Sequence, residues 1–256
     1  GFLNLIPRAG YRGTYYSRTK EDYRVVSTNT TVGTNGIAVS TVSTNTFMRE
    51  LDAEFRNLYE FGMESSFKAF KVWQTHPGDF INNLRHIAEP YADYTYIPEP
   101  NLRPADLYQF DDLDALDRRN DIKLGVRNKI QTKRREIYDL INADLWTFYR
   151  LDPQGTEEDF SNLGFDVRSE PFDWMDFRID GYYDQYESEI DTFNTRLILE
   201  ERTFWALELE HRYRQDANSL LNAEVRINPF INWGYKAFTR YEFEESEMEA
   251  WGISVR

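Results

Sequence analysis

Residues 119–133 read Arg119-Asn-Asp-Ile-Lys123-Leu124-Gly-Val126-Arg127-Asn-Lys129-Ile-Gln-Thr-Lys133. Alternate positions divide cleanly. Arg119, Asp121, Lys123, Gly125, Arg127, Lys129, Gln131 and Lys133 form one set, and Asn120, Ile122, Leu124, Val126, Asn128, Ile130 and Thr132 form the other. Side chains alternate across a strand, so a period of two predicts a strand with one cationic and one apolar face. Like charges on one face repel unless acids oppose them. Glu89 and Asp93 precede this strand and Asn142 and Asp144 follow it, close enough in sequence to serve.

The same alternation extends in both directions. In 84–97, Ala88, Ala92, Tyr94 and Tyr96 oppose Glu89, Tyr91, Asp93 and Thr95. Further strands are expected at 137–151, 160–171, 174–187, 190–201, 203–215, 219–228, 230–244 and 247–256. On the N-terminal side, 4–18 alternates well and 59–73 reads as one strand, whereas 48–58 fits a strand or a helix and is assigned to a strand. The Thr-, Ser- and Asn-rich stretch 19–46 reads as a long polar loop able to hold its own hairpin. A Pro- and Asp-rich loop follows at 98–118. Tight connections at 134–136, 172–173, 202 and 228–229 alternate with longer ones, the pattern of an up-and-down meander.

Trp205 and Tyr213 lie eight residues apart on one parity, as do Trp233 and Tyr241. Eight strand residues span about 27 Å, or about 20 Å of height when tilted, close to the apolar band between two aromatic girdles. Between them sit Leu207 and Leu209, with Glu208 and Glu210 on the other parity. In the preceding hairpin Trp174 falls on the polar parity and Met175 takes the outward place. Aromatic content is 16% and charged content 29%, which suits a chain facing lipid on one side and water on the other. The expected fold is therefore an all-β, antiparallel transmembrane β-barrel with about twelve strands in this chain, part of a larger barrel. Residues 1–256 form one barrel domain or barrel portion, with no separate N-terminal periplasmic domain. Leu124, Val126, Leu207, Leu209 and Val225 are expected to face lipid. A soluble sandwich is the alternative, but its strands are typically about 5–6 residues long.

The formal charge of −14 disfavours a nucleic-acid partner. Cysteine is absent, which removes disulfides and thiolate metal sites. Asp111, Asp112, Asp114 and Asp117 cluster in one loop, but their spacing is not that of a calcium loop, and a solvated loop balanced by Arg118 and Arg119 is the plainer reading. Neither a metal nor a cofactor is expected. Of the histidines His76, His86 and His211, His86 has Ser65 and Ser66 on the preceding predicted strand, as a barrel phospholipase would need. The lumen-lining candidates are Lys123, Arg127, Lys129, Lys133, Glu89 and Asp93.

The central stretch also resembles the lipopolysaccharide-assembly outer-membrane protein family (LptD). The resemblance is carried by Leu84-Arg85-His86, Glu89-Pro90, Tyr94, Tyr96, Pro98, Tyr108-Gln109-Phe110-Asp111, Leu116-Asp117-Arg118, Asn120, Leu124-Gly125-Val126, Asn128-Lys129 and Gln131 to Arg135. It implies a later portion of a very large barrel and insertion of lipopolysaccharide into the outer leaflet, without catalysis. It further implies an integral outer-membrane location, a plug lipoprotein (LptE-like) and a periplasmic bridge protein (LptA-like). Cysteines that many relatives carry are missing here. A stand-alone anion-lined channel and a barrel phospholipase remain the alternative functions.

Overall fold

The computed structural model describes all residues except 1–2, 33–37, 75–82, 134–135, 154, 156, 202–203 and 231–232. Among the described residues the chain forms fifteen strands and one short 3₁₀ turn, Pro104–Asp106. The strands are β1 (Asn4–Tyr16), β2 (Thr19–Val32), β3 (Ala38–Leu51), β4 (Glu54–Ser66), β5 (Ala69–Trp73), β6 (Leu84–Ile97), β7 (Arg119–Lys133) and β8 (Ile137–Arg150). They continue as β9 (Leu163–Phe172), β10 (Met175–Asp184), β11 (Glu189–Glu201), β12 (Trp205–Arg214), β13 (Asn218–Phe230), β14 (Trp233–Glu242) and β15 (Glu247–Val255).

Twelve strands follow one another in a single sheet, in the order β1-β4-β6-β7 and then consecutively to β15; β5 pairs beside β6, off this path. The order is open, with β1 and β15 at its two ends. From β7 onward each strand pairs antiparallel with its sequence neighbour. The fold is an all-β antiparallel meander. Among the described residues no helix is long and apolar enough to cross a membrane.

Two expectations are corrected and one is narrowed. Of the polar loop and the hairpin it could hold, residues 19–32 and 38–46 form the hairpin: β2 and most of β3, which among the described residues pair only with each other, from Thr19↔Leu51 to Val32↔Ala38. Thr and Val favour extended backbone, and this outweighs the loop-like composition. The single strand expected over 59–73 is two, β4 and β5, with the break at Phe67 and Lys68, where the Phe67 amide donates instead to the Pro90 carbonyl at 3.3 Å. Trp174 is not in a strand: it sits in the two-residue turn before β10, stacked on Phe172 with ring centroids 4.7 Å apart.

The chain gathers into two compact units. The first comprises Gly1–Ile6, Glu64–Tyr94 and Asp121–Arg256. Its strand register keeps the two parities apart. Met175, Leu199, Leu207, Val225, Ala237 and Ile253 pair in one row across six strands. Leu209 pairs with Leu197 and Ala223, Val126 with Leu145. Trp205 pairs with Ile227, Tyr213 with Phe193, and Tyr241 with Leu221, so these aromatics share the apolar face. One position along, Arg196, Glu210, Asn222 and Arg240 form a polar row. Exposed pairs such as Arg196–Glu208 (2.6 Å) and Lys236–Glu224 (2.7 Å) add little stability each, about 0–1 kcal/mol. Their effect is to balance charge along the face.

Large apolar side chains stand exposed on the other face: Leu124 at 39%, Val225 at 39%, Trp233 at 54% and Ile253 at 73%. An exposed apolar surface of this extent calls for an apolar surrounding. The long arms end in short turns. Ser188, Asp216 and Ser246 adopt positive φ (59°, 53° and 52°), the left-handed residue that closes three- and four-residue hairpins.

The second unit comprises Pro7–Met63 and Thr95–Asn120. Here the 98–118 loop folds around one guanidinium. Arg56, only 3% exposed, donates to the carbonyls of Leu102 (2.9 Å), Leu113 (3.1 Å), Asp114 (3.4 Å) and Leu116. Tyr16, Leu102 and Leu107 pack into a small core beneath it. Asp114 is a buried anchor rather than a solvated loop acid, at 6% exposure. Its carboxylate accepts the Tyr16 hydroxyl and, at 2.8 Å, the Phe110 amide. These two bonds hold the Asp114 carboxyl below the usual carboxylate range.

Two outcomes follow from this architecture. Leu207→Arg should cost about 2–4 kcal/mol if the residue meets lipid near mid-bilayer, and Glu208→Arg far less; urea titration of the chain in vesicles compares them, and equal losses contradict a lipid-facing Leu207. In the loop, a depressed carboxyl pKa stabilises the fold fully above its unfolded value, and that stabilisation is lost as pH falls through the folded one. The Phe110 amide resonance should therefore shift toward its unfolded position as pH drops below about 4. Asp114→Asn should remove this pH dependence.

Candidate functional site: a basic concavity on the polar face

β7 places Lys123, Arg127 and Lys129 on one face because they share its parity. In the first unit this face opens into a concavity of about 800 Å³. Lys68, Arg85, Lys123, Arg127, Lys129, Arg168 and Arg178 line it, against only Glu89, Asp144 and Asp166. Seven cations and three acids form the lining, and acids set just outside it, Glu64, Asp139 and Asp176, pair with Arg127, Lys129 and Arg168.

The centre is built on a missing side chain. A Cβ at Gly125 would stand 2.5 Å from the Tyr91 ring and 2.8 Å from the Leu145 carbonyl. Tyr91 of β6 can therefore lie flat across β7, and it is 5% exposed. An aromatic ring covering a glycine restores the packing the glycine lacks. Trp146 covers Gly164 in the same way, 2.4 Å from the position of a Cβ there.

The rings hold cations. The Arg127 guanidinium is 4.1 Å from the Tyr91 centroid, and the Lys123 ammonium is 4.4 Å from the Trp146 ring and 5.6 Å from Tyr91. Such contacts contribute about 0.5–2 kcal/mol each, more as water is excluded. The Tyr91 hydroxyl donates to both oxygens of Asp144 at 3.1 Å. Asp144 in turn lies 4.0 Å from Lys123.

The acids expected to oppose the cations are partly those found. Glu89 lies 3.9 Å from Arg127 and 3.5 Å from Lys68. The nearer partner of Arg127 was not anticipated: Glu64 of β4 accepts from both terminal nitrogens, at 3.0 and 3.4 Å. Lys129 pairs with Asp139 at 2.8 Å. Glu64 was legible in principle, since it lies on the parity opposite Tyr59, Phe61 and Met63. Lys133 and Asp93 share the polar parity but do not line the concavity.

Arg85 was named only within the resemblance, yet it lines the concavity. Its guanidinium lies 5.0 Å from the Phe70 centroid, and its buried Nε has no hydrogen-bond partner. Gln131 Oε1 is likewise buried without a partner.

His86 points its chemistry elsewhere. Its Nε2 meets Asn128 Oδ1 at 3.0 Å, Ser65 Oγ donates to the Ala92 carbonyl at 3.4 Å, and Ser66 is 3% exposed. The histidine and serines that a phospholipase would join are not brought together. His211 meets Ser219 Oγ at 3.1 Å, and His76 lies outside the described residues. Among the described residues no three metal-ligating groups converge, in the acidic loop or elsewhere.

Gly125→Val should destabilise the sheet by about 1–3 kcal/mol through overpacking against Tyr91. Adding Tyr91→Ala should recover part of that loss, a positive coupling that a double-mutant cycle in urea measures directly. With this geometry in hand, a scan against protein-family models and a search of curated proteins both find no match to this chain.

Proposed function

We propose that this chain forms part of the wall of an outer-membrane β-barrel that passes lipopolysaccharide to the outer leaflet, a transport role without covalent chemistry. The observation that carries the reading is the basic concavity at Lys123, Arg127 and Lys129, set on the polar face of a sheet whose other face is apolar and bare. A glycolipid that is anionic at its head and apolar in its tails needs both surfaces: cations and water for one part, lipid for the other. The resemblance over residues 84–135 points to the same activity. A plug lipoprotein and a periplasmic bridge protein are the partners this role entails.

A hydrated anion-lined channel is the second reading. It draws on the pairing of these cations with Glu64, Glu89, Asp139 and Asp144, which a neutralised lumen wall also has.

Replacing Arg127 and Lys129 together by Gln separates the two. A photo-crosslinker at position 127 should capture lipopolysaccharide in cells. The double variant, still folded and heat-resistant, should transport less of it. Unchanged transport without a crosslink, combined with altered anion conductance in planar bilayers, would favour the channel.

A further inference from the structure

The apolar face carries a polar island around β5. β5 pairs with β6 so that Lys71 stands opposite His86 and Trp73 opposite Leu84, which puts these residues on the face away from Arg85 and Glu89. The Lys71 ammonium lies 5.3 Å from the Trp73 centroid, and the Trp73 ring stacks on His86 at 6.5 Å with the planes 17° apart. His86 Nε2 meets Asn128 Oδ1 at 3.0 Å, while Asn128 Nδ2 donates to the Val126 carbonyl at 3.5 Å. That orientation of the amide makes Nε2 the donor and leaves His86 Nδ1 open. Among the described residues no carboxylate pairs with Lys71 and no acceptor meets the Trp73 indole N–H.

The island sits where β6 begins and β7 ends, the same end as the turn at Asp173 and Trp174 and the start of β14 at Trp233. Leu84, Ala88 and Val126 flank it on the same parity. A lysine and an indole donor without an acidic partner among the described residues, on a mostly apolar face, would be costly in hydrocarbon. They are stable at the level of headgroups, where Lys extends its ammonium to the interface and Trp sits with one edge wet.

We infer that Lys71, Trp73 and His86 form a binding site for the phosphodiester of a glycerophospholipid headgroup, with the acyl chains laid along Leu84, Ala88 and Val126. This rests on the outer-membrane reading above. Lys71 supplies a charge-assisted contact to phosphate, and Trp73 Nε1 a second donor. His86, held by Asn128, is the platform that fixes the indole. A free phosphate would use the same donors but gain nothing from the apolar flank.

The test uses the chain released from vesicles into detergent and examined by native mass spectrometry with phosphatidylglycerol or with diacylglycerol, which lacks phosphate. The chain should retain phosphatidylglycerol preferentially. Lys71→Gln should lower that retention about tenfold, the scale of one charge-assisted hydrogen bond. Trp73→Phe should lower it less, and Lys236→Gln on the polar face should leave it unchanged. Equal retention of both lipids, or retention indifferent to Lys71→Gln, overturns the site while leaving a vesicle-inserted chain consistent with the barrel. Saturable binding of inorganic phosphate without lipid, seen by phosphorus NMR and lost in Lys71→Gln, overturns the headgroup assignment. Failure of the chain to insert into vesicles at all overturns the barrel reading and this site with it.

Discussion

Register is the constraint on which the structure depends. A slip of one residue between neighbouring strands would carry every apolar side chain to the polar face and every charge to the apolar one. Between β7 and β15 the pairing keeps apolar rows and polar rows on separate faces, and hairpins at 185–188, 215–217 and 243–246 fix one arm to the next. Few apolar residues are buried, so the usual anchor of register, an interior core, is weak here. Salt bridges across the polar face and aromatic rings laid over glycines take its place.

Much of this was legible because period two is a strong signal in long strands. The limits of β6 and β7 fall where alternation begins and ends, and the later strands differ by a few residues at their ends. What composition obscured was the extent of the β2–β3 hairpin, whose Thr, Ser and Asn content resembles a loop although nearly all of it pairs. The break in 59–73 was invisible because alternation alone gives no account of which backbone groups leave the ladder. At the site, parity identified the cations but not their partners. Arg127 reaches Glu64, two places away in the sheet order, and such a contact depends on a long side chain crossing β6 rather than on nearness in sequence.

The second unit follows a different logic. A loop of acids and prolines would ordinarily be set by solvent, yet Arg56 gathers four of its carbonyls. Guanidinium is suited to this, with five donors in one plane. The acidic cluster then divides: Asp114 is structural, and Asp111 bonds the amides of Leu113 and Asp114 at 2.9 and 3.2 Å. The charge density that invites thoughts of a cation is largely spent on the backbone.

Gly125 has one more consequence. Four residues of strand separate Lys123 from Arg127, about 13 Å along the wall. Tyr91 occupies the interval, ring face against both cations. In the transport role proposed above, an anion on this row would meet discrete stations separated by an aromatic spacer instead of an unbroken ribbon of charge. Each station is shared with a carboxylate of the wall, so each grips weakly. Passage through several weak stations is faster than escape from one deep well. By omitting a side chain at one position, the sequence turns a charged strand into a ladder with rungs.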